Sequence, residues 1–473
     1  MIKFDYIETQ RKGKITCDEG TLSIIRSHFS VANDAAKYAK QWGKQVASRL
    51  YAITPTGLFD FGLYVEIRKY LITLNLLDIE YTDTFTRRLN SGVPNLGIFD
   101  GLEYPLRDYQ LETIEKGFRL GQGTIVIGTG GGKSLITAAM LESYYRHYAG
   151  EDKTCLIVVP GISLVSQLEN DFAEYGVSFE YSTWTAKGKA GVRSSSGVVI
   201  TNTENLLAKF DKNPSILDVD LLIVDEAHTI TSKNKISKVI SKFKTPNRFG
   251  FTGTLPKNKM DRWKVLGTFG PIIYEKNSKE LRDDGHLVDV SVKMIKLNHG
   301  KTGKMDYNQE LEYVYNSEKR NELITKLASR LENNTLCLVN HLEQGHNLQD
   351  KFSEIPNKTS YFIRGETNLD ERDDIKKLMA DKNDVIVNAM SKIFATGINI
   401  PNIHNLLFVA GGKAFIRTVQ GIGRGLRLHH TKTKLTIIDI YDSLKYSERH
   451  AELRKEIYDD EQIAWNEVEI DLI

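Results

Sequence analysis

Residues 127–134 read IGTGGGKS, and the identity of this loop decides how the rest of the chain is read. Before it lies TIVI (124–127), short and β-branched, and after it SLITAAMLESYYRHY (134–148), which has the length and composition of a helix. A glycine-rich turn from strand to helix attracts anions, because the first N–H groups of a helix lack intrahelical partners. Gly128, Gly130, Gly131 and Gly132 let the backbone approach phosphate oxygens, Lys133 is placed for terminal phosphates, and the Ser134 hydroxyl suits magnesium. The strict phosphate-loop pattern wants glycine at the slot of Ile127. The loop alone therefore leaves a glycine-rich turn with a solvated lysine as an alternative.

A second motif removes much of that ambiguity. LLIVDEAH (221–228) ends a buried strand in two carboxylates, and burying unpaired charges is costly without a cation. Asp225 is the candidate magnesium ligand, and Glu226 the candidate group that orients or deprotonates water. In RTVQGIGRGLR (417–427), Gln420, Arg424 and Arg427 fall on one helical face. Guanidinium groups stay charged and fork onto phosphate oxygens, and an arginine finger contributes roughly 10³ to 10⁵ in rate. A basic surface helix is the plainer reading of that stretch.

The runs TIVIG, CLIVVP, GVVIT and DLLIVDEAH, then NTLCLVN, NDVIVNA, HNLLFVA and LTIIDI, are nearly continuous in Val, Ile and Leu. Such runs suit parallel strands covered on both faces, so two α/β units are expected, from about 100 to 275 and from about 285 to 445. The charged stretch NSKELRDDGH (277–286) is the expected hinge, and the tail after 445 is expected to be a surface helix. A chain of 473 residues is long enough for about three domains.

Lys and Arg total 63 against 61 Asp and Glu, a net charge of +2, so affinity for nucleic acid must come from local patches. TSKNKISKVISKFKTPNR (231–248) is one such patch, and AKYAKQWGKQ (36–45) interleaves Lys37, Lys40 and Lys44 with Tyr38 and Trp42. A solvated helix face explains either stretch equally well. Cys17, Cys155 and Cys337 are far apart, the last two inside apolar runs, so reduced buried thiols are expected in a cytoplasmic protein. No stretch approaches the ~20 apolar residues of a membrane span.

These motifs resemble the superfamily 2 helicases of the DEAH-box type, and among them the phage UvsW group of recombination helicases, over nearly the whole chain. LRDYQ (106–110) resembles the adenine-recognition motif, which implies Arg107 and Gln110 as nucleotide contacts. IGTGGGKS resembles the family loop, in which Ile127 stands at a slot commonly alanine, and implies ATP contacts from Gly128 and Thr129 through Ser134. The DEAH box at 225–228 implies that His228 couples the two units. FTGTL (251–255) implies the same for Thr252 and Thr254. VVPGISLVSQ (158–167) and ITNTENLL (200–207) resemble nucleic-acid-contacting motifs, through Pro160, Ser163, Gln167 and Thr201. ATGINIP (395–401) implies Thr396 on nucleic acid and Gly397 on nucleotide, with Asn399 in place of the aspartate many relatives carry. FDFGLYVEIRKYL (59–71) resembles the small accessory domain of the UvsW group, which implies a grip on branched or duplex DNA.

The expected fold is thus α/β: two tandem RecA-like parallel-sheet domains (96–280 and 281–445), a small N-terminal α+β accessory domain (1–95) and a C-terminal helical tail (446–473). The expected activity is an ATP- and magnesium-dependent DNA helicase or translocase on branched recombination or stalled-fork DNA. An RNA or RNA:DNA hybrid helicase, a restriction-type translocase subunit, and a nucleotide-switched binding or annealing protein are the alternatives.

Overall fold

The computed structural model describes residues 1–33, 35–36, 46–92, 96–184, 197–210, 218–232, 234–364, 375, 379, 382–391, 402–409 and 434–472. They fall into two compact units, 1–128 with 132–276, and 129–131 with 277–473.

The first 92 residues form strands β1 (Ile2–Ile7), β2 (Lys12–Thr16), β3 (Ser30–Ala32), β4 (Arg49–Tyr51), β5 (Leu58–Asp60) and β6 (Ile79–Tyr81), with helices at Glu19–His28 and Tyr64–Thr73. Four strands make a sheet in the order β5-β2-β1-β6, while β3 and β4 pair as a separate ribbon. This segment does not close its own core. Leu266 of the helix Lys259–Phe269 is buried in the same cluster as Phe4, Phe29 and Phe61, and the Trp263 ring lies 5.3 Å from Phe29. At Gly62 a Cβ would stand 2.3 Å from the Leu266 carbonyl oxygen, so only glycine lets the two backbones meet.

The main sheet of the first unit contains β7 (Gln122–Ile127), β8 (Thr154–Val159), β9 (Tyr181–Trp184), β10 (Gly197–Asn202), β11 (Leu221–Val224), β12 (Arg248–Thr252) and β13 (Ile272–Lys276). Its order is β13-β7-β12-β11-β8-β10-β9, and its pairings are parallel. β8, β10 and β11 are buried along their whole length, which is why their sequences show continuous apolar runs instead of alternation. Consecutive strands β7 and β8 are separated in the sheet by β12 and β11. Their connections diverge there, and open α/β sheets bind ligands beyond the strand C-termini at such a point. IGTGGGKS, FTGT and DEAH follow β7, β12 and β11 and so lie on neighbouring strand ends.

The second unit repeats the plan with β14 (Asp289–Asn298), β15 (Thr335–Val339), β16 (Thr359–Ile363), β17 (Val385–Met390), β18 (Asn405–Phe408), β19 (Lys434–Asp442) and β20 (Ala464–Asp471). The order is β16-β17-β15-β18-β19-β14-β20, again parallel. Its core, with Ile324, Cys337, Leu348, Ile386, Leu407 and Ile440, is separate from the cluster of Leu156, Val224, Phe243 and Phe269 under the first sheet. Each of the eight apolar runs is a strand, and the fold is that of tandem RecA-like domains.

The 277–286 stretch begins where the two units divide, and in it Asn277 and Glu280 make a reciprocal capping box that starts the helix Ser278–Asp283. One local expectation is corrected. The tail is not only a surface helix. Lys445–Asp460 is helical, but it buries Ala451, Arg454 and Tyr458, and Arg454 forks onto Asp439 at 2.8 and 2.9 Å. After it, β20 adds to β14, its charges outward because an edge strand keeps one side in water. Among the described residues no helix is long and apolar enough to cross a membrane.

Candidate nucleotide site

The loop after β7 is held open by backbone conformations that only glycine adopts cheaply. Gly130 and Gly132 have φ of +83° and +77°, and a Cβ at Gly132 would stand 2.3 Å from Gln110 Nε2. Gly132 is the N-cap of the helix Lys133–His147, so the helix begins at the cradle and its first amides line it. The Lys133 ammonium rests on the Ile127 carbonyl at 3.1 Å, while Ser134 Oγ and the Tyr175 hydroxyl are 2.9 Å apart. Gln110 is buried, and its Oε1 accepts from the Arg107 backbone N–H at 2.9 Å. The amide therefore serves the helix start and the loop wall at once; sequence reading gave it only an adenine edge. Beside it, the Tyr109 ring stacks on Tyr274 at 6.4 Å and carries the Lys276 ammonium over its face at 4.9 Å.

At the end of β11 the backbone turns abruptly. Glu226 takes φ of +49°, a left-handed conformation unusual for a side-chain-bearing residue, and its N–H donates to Asp225 Oδ1 at 2.9 Å. Burial and the adjacent Glu226 carboxylate push Asp225 up to about 6, while the Lys133 ammonium pulls the other way. Lys133 therefore acts electrostatically on Asp225, although 92 residues of sequence separate them, from position 133 to 225.

His228 Nδ1 lies 2.9 Å from Thr252 Oγ1 and 3.2 Å from Glu226 Oε2. The Thr252 hydroxyl donates to the Thr254 carbonyl at 2.7 Å. Its oxygen must then accept from the imidazole, which puts a proton on Nδ1 and shares it with the Glu226 carboxylate. One chain of bonds thus links the acid box on β11 to the Thr252–Thr254 turn on β12.

The nucleic-acid candidates divide. Ser163 and Gln167 lie on the helix Ile162–Tyr175 that follows β8, and the Pro160 carbonyl accepts from Thr203 Oγ1 at 3.0 Å. Thr201 is fully buried, its hydroxyl turned to the Trp184 carbonyl at 3.2 Å, so its side chain offers nothing to a ligand. Thr396, Gly397, Asn399, Gln420, Arg424 and Arg427, like the 37–45 lysine and aromatic run, lie outside the described residues. Tyr175 and Lys276 were missed by sequence reading: neither belongs to a motif, and only the fold carries them to the loop.

The donors fit a nucleotide with a hard divalent cation. Among the described residues no three His, Cys, Asp or Glu side chains gather to ligate a metal. A cation here would take one or two protein oxygens and leave its other positions to phosphate and water, as magnesium does. Ser134 Oγ and the Asp225 carboxylate are oxygens of that kind, and a cation would offset the repulsion that raises Asp225.

Residues 103–257 match the family described as type III restriction enzyme, res subunit. The chain is 26% identical over 467 residues to the ATP-dependent DNA helicase uvsW of Enterobacteria phage T4, covering 93% of this chain and 91% of that protein. It is 24% identical over 383 residues to the DNA 3'-5' translocase XPB2 of Sulfurisphaera tokodaii, covering 70% of this chain and 82% of that one. The solved Hef helicase domain of Pyrococcus furiosus shares the fold with a TM-score of 0.51 at 13% identity, over 74% of this chain and 98% of that one. With the phosphate loop and the acid box set on strand ends that flank β12, the chain is similar to the ATP-dependent superfamily 2 helicases and, among them, to the phage UvsW group.

Proposed function

We propose that this ATP-dependent helicase acts on branched recombination or stalled-fork DNA, with branch migration or fork regression as the outcome. The reading rests on the similarity to the phage T4 uvsW helicase along 93% of the chain. The catalytic part rests on one observation: the Asp225–Glu226 pair stands on the strand end next but one to the phosphate loop, with Asp225 raised by burial and by Glu226.

In this reading the amides from Gly128 to Ser134, with Thr129 among them, bind the phosphates, and Lys133 neutralises the terminal ones. Ser134 and Asp225 would hold magnesium, which when bound supplies positive charge to the phosphate oxygens. Glu226 orients a water and takes its proton as the water oxygen attacks the terminal phosphorus and the bond to the nucleoside diphosphate breaks. The His228–Thr252–Thr254 chain reports the state of Glu226 to β12. Arg107 and Gln110 border the base, and Gly397 joins them by resemblance. Gln420, Arg424 and Arg427 are the proposed arginine-finger set; Pro160, Ser163, Gln167 and Thr396 are the proposed nucleic-acid contacts, Thr201 being set aside. The place of work is the cytoplasm, that of the host if the chain is phage-encoded.

The test compares ATPase stimulation and strand separation on forked and four-way DNA, plain duplex and single-stranded RNA. Branched DNA is expected to stimulate most. Greatest stimulation by RNA would replace the DNA reading with the RNA one. Unwinding that survives Lys133→Ala would remove the motor mechanism altogether.

A further inference from the structure

The basic stretch 231–248 is not a solvated helix face throughout. Its end, from Lys242 to Arg248, turns into the seam between the N-terminal segment and the first parallel sheet, where Arg11 and Arg88 meet it around one pocket. Arg248 opens β12 and Gln122 opens β7, so the seam lies where the strands begin. The phosphate loop lies at the other ends, roughly 17 Å away along β7 at 3.3 Å per residue. The pocket is therefore distinct from the nucleotide site.

Its charge is one-sided. The lining contains Arg11, Arg88, Lys244 and Arg248 against the single carboxylate of Asp60. Asp60 is already paired with Lys12 and with Lys264, the latter at 2.9 Å, and Lys244 reaches Asp218 at 2.7 Å in an exposed pair. The arginines are fixed by other bonds. Arg248 Nη2 donates to the Phe243 and Thr245 carbonyls at 2.8 and 2.7 Å and Nε donates to the latter at 3.2 Å, which leaves Nη1. Arg88 lies over the Phe61 ring at 4.5 Å and donates to Gln122 Oε1 at 2.8 Å. Arg11 Nη1 donates to the Lys242 carbonyl, which leaves Nε and Nη2. Desolvation first, and then the Arg88 and Arg11 charges beside it, lower Arg248 to about 10.

We propose that this seam is a phosphate-binding pocket, held by Arg11, Arg88, Lys244 and Arg248. A tetrahedral anion offers more acceptor positions than a carboxylate and can accept from several guanidinium forks at once. The pocket takes a phosphate group either as free phosphate or as part of a nucleic-acid backbone. The assignment is independent of the nucleotide reading, since no residue is shared.

The test uses the full chain with a non-hydrolysable ATP analogue present to fill the phosphate loop. Inorganic phosphate is titrated calorimetrically at fixed ionic strength, and a short duplex is titrated in parallel over a salt series. Wild type is compared with Arg11→Ala/Lys244→Ala, which spares Arg88 and Arg248, and with Arg88→Lys, which keeps the charge but loses the fork. Phosphate uptake weaker by at least about tenfold in both variants, at unchanged melting temperature, supports the pocket. If duplex affinity also falls, with a salt slope smaller by about 1 to 2, the phosphate is the backbone's; if duplex binding is unaltered, it is free phosphate. Equal phosphate and duplex binding by wild type and both variants would overturn the proposal and leave the arginines a structural weld. Failure of the analogue to bind would count against the nucleotide site, while the comparison between variants would still decide the seam.

Discussion

Glu226 and Asp225 are neighbours in sequence with opposite duties, and their geometry separates them. The left-handed backbone at Glu226 turns its carboxylate to His228 at 3.2 Å, while Asp225 is raised by burial and by that same carboxylate. Glu226→Gln is expected to lower kcat by at least about 10²-fold with nucleotide still bound, the usual scale for losing a general base. Single-turnover ATP hydrolysis checks this, and near-normal turnover would take Glu226 out of its role. Asp225→Asn is expected to abolish turnover yet raise the melting temperature at pH 7 without metal, by about 2–5 °C. The sign follows from a folded pKa raised from 3.8 to about 6. Below both values the acid is neutral in either state and costs nothing; the penalty builds as pH rises from about 4 to about 6 and persists above. Melting curves at pH 4 and pH 7 should therefore show the gap closing at the acid end. The two acids, Lys133 and the glycines were legible in sequence because their chemistry is local. Tyr175 was not, since its hydroxyl reaches Ser134 from 41 residues away.

At the scale of elements, the N-terminal segment is the clearest case of packing overriding apparent modularity. Its phenylalanines share a core with Leu266, and Asp60 is clamped by Lys12 and Lys264. Burial opposes ionisation of Asp60, but the two ammonium groups outweigh it and hold its pKa at about 2. Because that value is depressed from 3.8, the clamp stabilises above about pH 4 and is lost as pH falls through about 2, a contribution of ~2 kcal/mol. Asp60→Asn should therefore lower the melting temperature at pH 7 and converge with wild type in strong acid. An equal deficit at both pH values would mean that the clamp contributes no charge-dependent stability. Gly62→Ala is expected to break the seam, since its Cβ would meet the Leu266 carbonyl at 2.3 Å; tryptophan fluorescence from Trp263 would report the loss. Strands within apolar runs were readable, whereas β20 was not. Its V-E-I-D alternation marks an edge strand, but it follows a charged helix and reads as its continuation.

For the whole molecule, two parallel sheets with separate cores predict two thermal transitions by calorimetry, not one. A nucleotide at 100 times its Kd should stabilise the transition that contains the phosphate loop by about 2.7 kcal/mol. A single transition with equal calorimetric and van't Hoff enthalpies would show that the cores unfold as one.

The sequence by itself determined the α/β class, the phosphate loop and the acid box. Buried parallel strands need unbroken Val, Ile and Leu, and phosphate chemistry needs glycine, lysine and carboxylate at fixed local offsets. Only the tertiary structure decided what depends on residues far apart in the chain. It buried Thr201 against Trp184, joined His228 to Thr252, set Leu266 into the N-terminal core, and gathered Arg11, Arg88 and Arg248 around one pocket. Long-range contacts of that kind carry no periodicity, because nothing in a local window records which distant strand end a side chain will face.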